Sequence, residues 1–166
     1  SIMLTTLRRT FCKIKSDRII TYQSRRNIVR SEVSYLPSVI LYNSPVCPFG
    51  HRAWLALEAK QIPYVTIEVD LQNKSDEFKT AYSKSFGRDI KSDGKVPIIN
   101  NTKDNDLFIT ESALTLRYLD KTFPEYGPKL FPIDPFELCL VEYCAQFFVD
   151  NFYGNLYKIG REKDKT

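Results

Sequence analysis

Histidine is almost missing from this 166-residue chain, in which His51 is the only one. There are four cysteines (Cys12, Cys47, Cys139 and Cys144), and no two of them form a Cys-x-x-Cys pair. A zinc centre needs about four Cys or His ligands at close spacing, so no metal site is expected. The same cysteine usage suits a reducing compartment, with one functional thiol at most. No apolar run reaches the roughly 18 residues of a membrane helix, so nothing in the sequence reads as a membrane span. Net positive charge is confined to the N-terminal tail. The net charge is +4, yet Ser1–Tyr35 holds eight basic and two acidic residues, which leaves the remainder slightly acidic. A body near neutrality lacks the Lys/Arg stripe that phosphate binding needs, and nucleic acid is not an expected partner.

Aromatic residues, in contrast, are plentiful, with ten Tyr and eleven Phe. That number suggests a heavily packed helical surface or a partner to pack against. The 1–35 extension is rich in Ser, Thr and Arg, a composition similar to that of a mitochondrial transit peptide. The alternative is a basic extension of the mature protein, with a cytoplasmic location.

From Pro37 onward the pattern alternates strands and helices. Val39–Tyr42 is a short apolar run that reads as a buried strand. After a turn-rich loop, Pro48 opens a helix that runs to about Lys60, because Pro is favoured at the first helical position. Tyr64–Val69 has strong β character, and Asp76 to about Lys84 is a helix candidate. Ser85–Lys95 is polar and reads as loop. Val96–Ile99 and Leu107–Ile109 are short strands about a hairpin, and Glu111–Thr122 is a helix. The order is βαβα, then ββα: a parallel pair through a right-handed crossover, followed by an antiparallel hairpin. Residues 123–135 carry four prolines and a glycine and read as a linker. Phe136 to about Ile159 is a long helix, apolar around most of its circumference, which needs cover from other helices or another subunit. Trp54, Cys139 and Cys144 are expected in cores.

Three signals carry chemistry. Ser44-Pro45-Val46-Cys47-Pro48-Phe49-Gly50-His51-Arg52 places Cys47 at the start of a helix, where free backbone N–H groups and the helix dipole favour negative charge and so a nucleophilic thiolate. A small capping residue that happens to be Cys is the alternative. Gly50 stands where a dithiol motif has its second Cys, which leaves a monothiol mechanism. Next, Val96-Pro97 opens a strand, a candidate cis bond. Its turn leaves the Val96 N–H and C=O free to pair with a peptide-like ligand, although an ordinary edge strand has the same dipeptide. Last, Thr110-Glu111-Ser112 lies at a strand-to-helix junction. There a helix N-terminus and the Ser112 hydroxyl suit a carboxylate and Glu111 suits an ammonium. Simple helix capping reads the same way. His51 is a lesser candidate for a direct role beside Cys47.

In combination, from Val39 to about Phe148, the chain resembles the cytosolic-type glutathione transferases, most of all the Cys-using omega and lambda classes. The resemblance rests on Cys-Pro-Phe-Gly-His-Arg-Ala-Trp, Val-Asp-Leu-Gln-Asn-Lys, Gly-Lys-Val-Pro-Ile-Ile and Thr-Glu-Ser-Ala, with Leu130–Pro135 similar to the family's linker. It implies an α/β fold, with a thioredoxin-like glutathione-binding domain over 38–122. A linker over 123–135 and a truncated all-α domain over 136–166 would follow. It implies glutathione as co-substrate and Cys47 as the thiol that forms a mixed disulfide. Phe49 and Leu71 would line the glutathione pocket, Lys74 would meet the glycyl carboxylate, Val96 with Pro97 would clamp the cysteinyl group, and Glu111 with Ser112 would hold the γ-glutamyl end. The 85–95 loop is longer than the family's usual turn.

The activity expected from these residues is that of a glutathione-dependent thiol transferase or reductase, acting on mixed disulfides or an oxidised substrate such as dehydroascorbate. The rival is a non-catalytic, glutathione-transferase-like subunit of a larger, mitochondrial assembly. In either case the 136–159 helix would meet a protein partner, as a homodimer or in a multi-subunit complex.

Overall fold

The computed structural model describes residues 19–20, 37–104, 107–155 and 158–159. The targeting-like reading of residues 1–35 therefore lies outside the described residues, apart from Ile19–Ile20. The chain divides into two units, Ser1–Pro128 and Lys129–Thr166, and the boundary falls inside the segment expected to be a linker.

The first unit is built on a five-stranded sheet. Its strands are β1 (Ile19–Ile20), β2 (Val39–Asn43), β3 (Tyr64–Glu68), β4 (Ile98–Asn101) and β5 (Leu107–Thr110), in spatial order β1-β3-β2-β4-β5. Strands β2 and β3 are parallel, joined through α1 (Pro48–Lys60), and β4 and β5 form an antiparallel hairpin. Helix α2 (Asp76–Lys84) follows β3, and α3 (Ser112–Thr122) follows β5. The thioredoxin-like order βαβα-ββα is thus present, preceded by the two-residue β1, which pairs Ile19 with Ile67 on the edge of β3. Ile19-Ile20-Thr21-Tyr22 is β-branched and aromatic in sequence, as strands favour, but the run is too short to show alternation.

Period-2 alternation splits β2 between two cores. Val39 and Leu41 are fully buried, and Tyr42 joins Phe78, Tyr82, Val96 and Ile98 in a cluster under α2. Burying a side chain such as Phe78, 1% exposed, contributes roughly 1.5–3 kcal/mol. Helix α1 ends as its sequence requires. Gln61 adopts φ 58°, its N–H reaches the Glu58 carbonyl, and the Ile62 N–H reaches that of Leu57. This left-handed cap closes the last turn and buries Ile62. Trp54 differs from its expected place. It is half-buried, because its indole N–H donates to the Tyr64 hydroxyl at 2.6 Å and so stays near the surface, while Tyr64 donates to Glu58.

The second unit contains α4 (Pro135–Phe148), capped by Asp134, whose carboxylate accepts the Phe136 and Glu137 N–H groups. It continues into a π-helical turn over Val149–Tyr153. No residue of α4 is buried, so Cys139 and Cys144 are exposed thiols and not core residues. No described helix is long and apolar enough to cross a membrane.

Candidate active site

Strand register assembles the site. Strands β2 and β3 end level, with Asn43 opposite Glu68. Ile98 of the antiparallel β4 lies opposite Tyr42, and Thr110 of β5 lies opposite Ile98. The chain therefore leaves β2, β3 and β5, and enters β4, at one edge of the sheet. Cys47 and Phe49 follow β2, Leu71 and Lys74 follow β3, Val96 and Pro97 lead into β4, and Glu111 and Ser112 follow β5. Residues far apart in sequence meet there because these four connections share one end of the strands, while the turn into β3 and the β4–β5 hairpin lie at the other.

Cys47 is the N-cap of α1, with extended backbone (φ −94°, ψ 114°) and Pro48 as the first helical residue. Its N–H donates to the Ser44 carbonyl at 3.0 Å, and its side chain is half-buried against the Tyr42–Phe78–Val96 cluster. The loop that presents it is held by Asn43, whose Oδ1 accepts the Ser44 N–H at 2.8 Å. Gly50 makes this approach feasible, since a Cβ there would lie 1.8 Å from Asn43 Oδ1. A side chain at this position, which carries a second Cys in dithiol motifs, would have to displace the Asn43 amide. Asn43 is a positioning residue that the sequence did not single out.

His51 is engaged with the loop that precedes Cys47. Its Nε2 donates to the Pro45 carbonyl at 2.9 Å, and its ring lies 5.9 Å from that of Trp54. Arg52 takes the more central place. Its Nη1 donates to Ser112 Oγ at 3.3 Å, and its guanidinium lies 5.3 Å from the Phe49 ring centroid. It thus ties two expected site residues on different elements. The i, i+3 spacing of Phe49 and Arg52 on a helix was the available signal.

The Val96–Pro97 peptide bond is cis. Among the described residues no turn or side-chain hydrogen bond uses the Val96 N–H or C=O, while the Pro97 carbonyl accepts from Thr110 Oγ1 at 2.9 Å. Glu111 is the N-cap of α3 with φ 71°, a conformation that costs a non-glycine residue about 1–3 kcal/mol. Glu111 itself is exposed and Ser112 is buried beneath it. Backbone strain of this kind collects at ligand-holding turns.

Lys74 is already engaged. Its ammonium donates to Asp93 at 2.7 Å, and this hydrogen bond, more than the opposing desolvation, holds the Asp93 carboxyl below the usual range. In the same loop Asp89 is held low, first by the Lys91 N–H and then by Lys95, whose own value is raised by Asp89. Lowered acids contribute stability above their unfolded value of about 3.9 and lose it as pH falls through the folded one; a raised Lys contributes below about 10.4 and loses it above. Both ion pairs are therefore intact across the neutral range.

The family follows from a match over residues 41–128, more than half of the chain, to the model of the glutathione S-transferase N-terminal domain. The chain belongs to the glutathione S-transferase family. It is 38% identical over 126 residues to glutathione S-transferase omega-1 of Rattus norvegicus, a match covering 75% of this chain and 47% of that relative. The crystal structure of glutathione transferase Omega 3C from Trametes versicolor superposes with a TM-score of 0.57 at 28% identity, covering 70% of this chain and 45% of the other. Rice GST1, solved in complex with glutathione, gives a TM-score of 0.53 at 27% identity, covering 69% and 46%. The chain spans about half the length of these glutathione transferases.

Proposed function

We propose that the chain is a glutathione-dependent thiol transferase of the Cys type, with glutathione as co-substrate. The observation that carries this is the placement of Cys47, as N-cap of α1, at the same sheet edge as the cis Val96–Pro97 turn and the Glu111–Ser112 junction. In the proposed pose the Val96 backbone pairs with the cysteinyl group and the glutathione sulfur lies near Cys47. Phe49 and Leu71 flank the tripeptide, and Lys74 takes the glycyl carboxylate. Glu111 accepts from the γ-glutamyl ammonium, and Ser112 with the α3 N-terminus meets its carboxylate.

The chemistry is two exchanges. The Cys47 thiolate attacks the glutathionyl sulfur of a mixed disulfide; a Cys47–glutathione S–S bond forms, and the substrate leaves as a thiolate that takes up a proton. A second glutathione thiolate then attacks the glutathionyl sulfur on Cys47, which releases glutathione disulfide and restores the Cys47 thiolate. No second protein thiol takes part, in keeping with Gly50.

Charge-assisted hydrogen bonds contribute roughly 1.5–3 kcal/mol each. Glu111→Gln should therefore weaken glutathione binding, measured by calorimetry, about tenfold or more. Unchanged affinity would remove the pose.

A second reading is favoured by one observation. Phe136, Tyr143, Phe147 and Phe152 on α4 and the π-turn are 71%, 67%, 56% and 51% exposed. Soluble monomers rarely leave a continuous apolar patch beyond a few hundred Å². This face would suit a homodimer, or docking as a glutathione-transferase-like subunit of a larger, mitochondrial assembly. Light scattering on the purified chain should show an assembly larger than one protomer. A well-behaved monomer with these rings in water would sink the subunit reading.

A further inference from the structure

The 85–95 loop is a braced strap. At its start the Phe86 N–H and C=O pair with the Phe108 C=O and Thr110 N–H, and the Asp89 N–H donates to the Tyr82 hydroxyl at 3.0 Å. Within it the Asp89 carboxylate accepts the Lys91 N–H and the Lys95 ammonium, each at 3.0 Å. At its end Gly94, with φ 138°, lies so close to the Phe78 ring that a Cβ would come within 2.4 Å of Cε1. Both anchors, Tyr82 and Phe78, are buried core residues of α2. The strap is thereby fixed with Asp93, 70% exposed, against Lys74, whose side chain is only 16% exposed. The next two residues after Gly94 are Lys95 and Val96, so the strap feeds directly into the cis Val96–Pro97 turn.

This geometry puts a carboxylate of the protein on the cation that the proposed pose reserves for a carboxylate of the ligand. We propose that Asp93 is a specificity-determining residue that competes with the glycyl carboxylate of glutathione for the Lys74 ammonium. The inference rests on the glutathione reading above and adds the strap to it. Lys74 donates a 2.7 Å hydrogen bond to Asp93, and a ligand carboxylate must displace or share it. The strap thus lowers the premium on a free C-terminal carboxylate. Tripeptides blocked or extended at that end, such as glutathione conjugated through glycine, are penalised less here than they would be by an unpaired Lys74.

The test uses calorimetry with two ligands, glutathione and its glycyl ethyl ester, on the full chain. Asp93→Asn is isosteric at an exposed position and preserves the fold. An exposed ion pair sets the scale of the effect, so Asp93→Asn should bind glutathione about twofold to fivefold more tightly. Its affinity for the ester should equal that of the unaltered protein. Lys74→Met should erase the difference between the two ligands. Unchanged or weaker glutathione binding by Asp93→Asn would show that Asp93 orients Lys74 and does not compete for it, which overturns the proposal. An equal gain for both ligands would overturn it too, as a general effect of removing negative charge. If the unaltered protein binds neither ligand, the glutathione reading itself fails and takes this inference with it. If it binds both with equal affinity and Asp93→Asn changes nothing, only this inference fails.

Discussion

Cys47 should be alkylated faster than Cys139 and Cys144 at neutral pH, although it is the least accessible of the three. Cys139 and Cys144 are exposed and Cys47 is half-buried, so exposure alone predicts the opposite order. What favours Cys47 is its position at the N-cap of α1. There the first-turn N–H groups and the helix dipole stabilise negative charge on sulfur. The thiolate, and not the thiol, is the nucleophile. Competitive labelling read by peptide mass spectrometry gives the order directly. The matching catalytic expectation is large. Cys47→Ser should reduce glutathione-dependent thiol exchange to the uncatalysed rate, because a hydroxyl cannot form the mixed disulfide on which both exchange steps depend. Glutathione affinity should change little, since the proposed contacts of Val96, Glu111 and Ser112 remain. Residual turnover comparable to the unaltered protein would mean that another group carries the reaction, and labelling of Cys139 or Cys144 ahead of Cys47 would remove the rationale for the nucleophile.

The sequence made the sheet edge legible because each of its parts is a local signal. Pro48 marks a helix start, Val96-Pro97 a special turn, and Thr110-Glu111-Ser112 a junction. The alternation of strands and helices then dictates which ends meet. What stayed hidden were contacts between residues that carry no local pattern. Asn43 looks like any turn residue until Gly50 is seen against its side chain. Arg52 looks like a solvated helix cation until its guanidinium is found on Ser112, 60 residues away. Asp93 looks like loop filler until Lys74 is found against it. The misplaced expectations have a common cause as well. Residue type alone places Trp54, Cys139 and Cys144 in cores, yet burial depends on what packs over a face. Trp54 is held outward by its bond to Tyr64, and α4 has no buried residue.

Lys60 is the largest of these hidden features and leads to the largest expected effect on stability. A lysine in the last turn of a helix ordinarily complements the dipole from solvent. Here it is 1% exposed, and its ammonium donates to Asp120 of α3 at 3.2 Å and to the Pro128 carbonyl at 3.3 Å. Gly127, with φ 51°, lies over the Lys60 backbone so closely that a Cβ would come within 2.6 Å of the Lys60 Cα. One buried ammonium thus joins the end of α1, α3 and the segment that follows α3. Such a pair adds little over well-packed apolar residues, because desolvating two charges offsets their attraction, but removing one partner strands the other without water. Asp120→Ala should therefore destabilise the chain by about 3–5 kcal/mol. The double replacement Lys60→Met with Asp120→Leu should recover most of that loss. Denaturant titration of the three proteins separates the terms. If Asp120→Ala costs no more than an exposed substitution, about 0.5 kcal/mol or less, Lys60 has found another partner or water, and the bridge does not hold these three segments together.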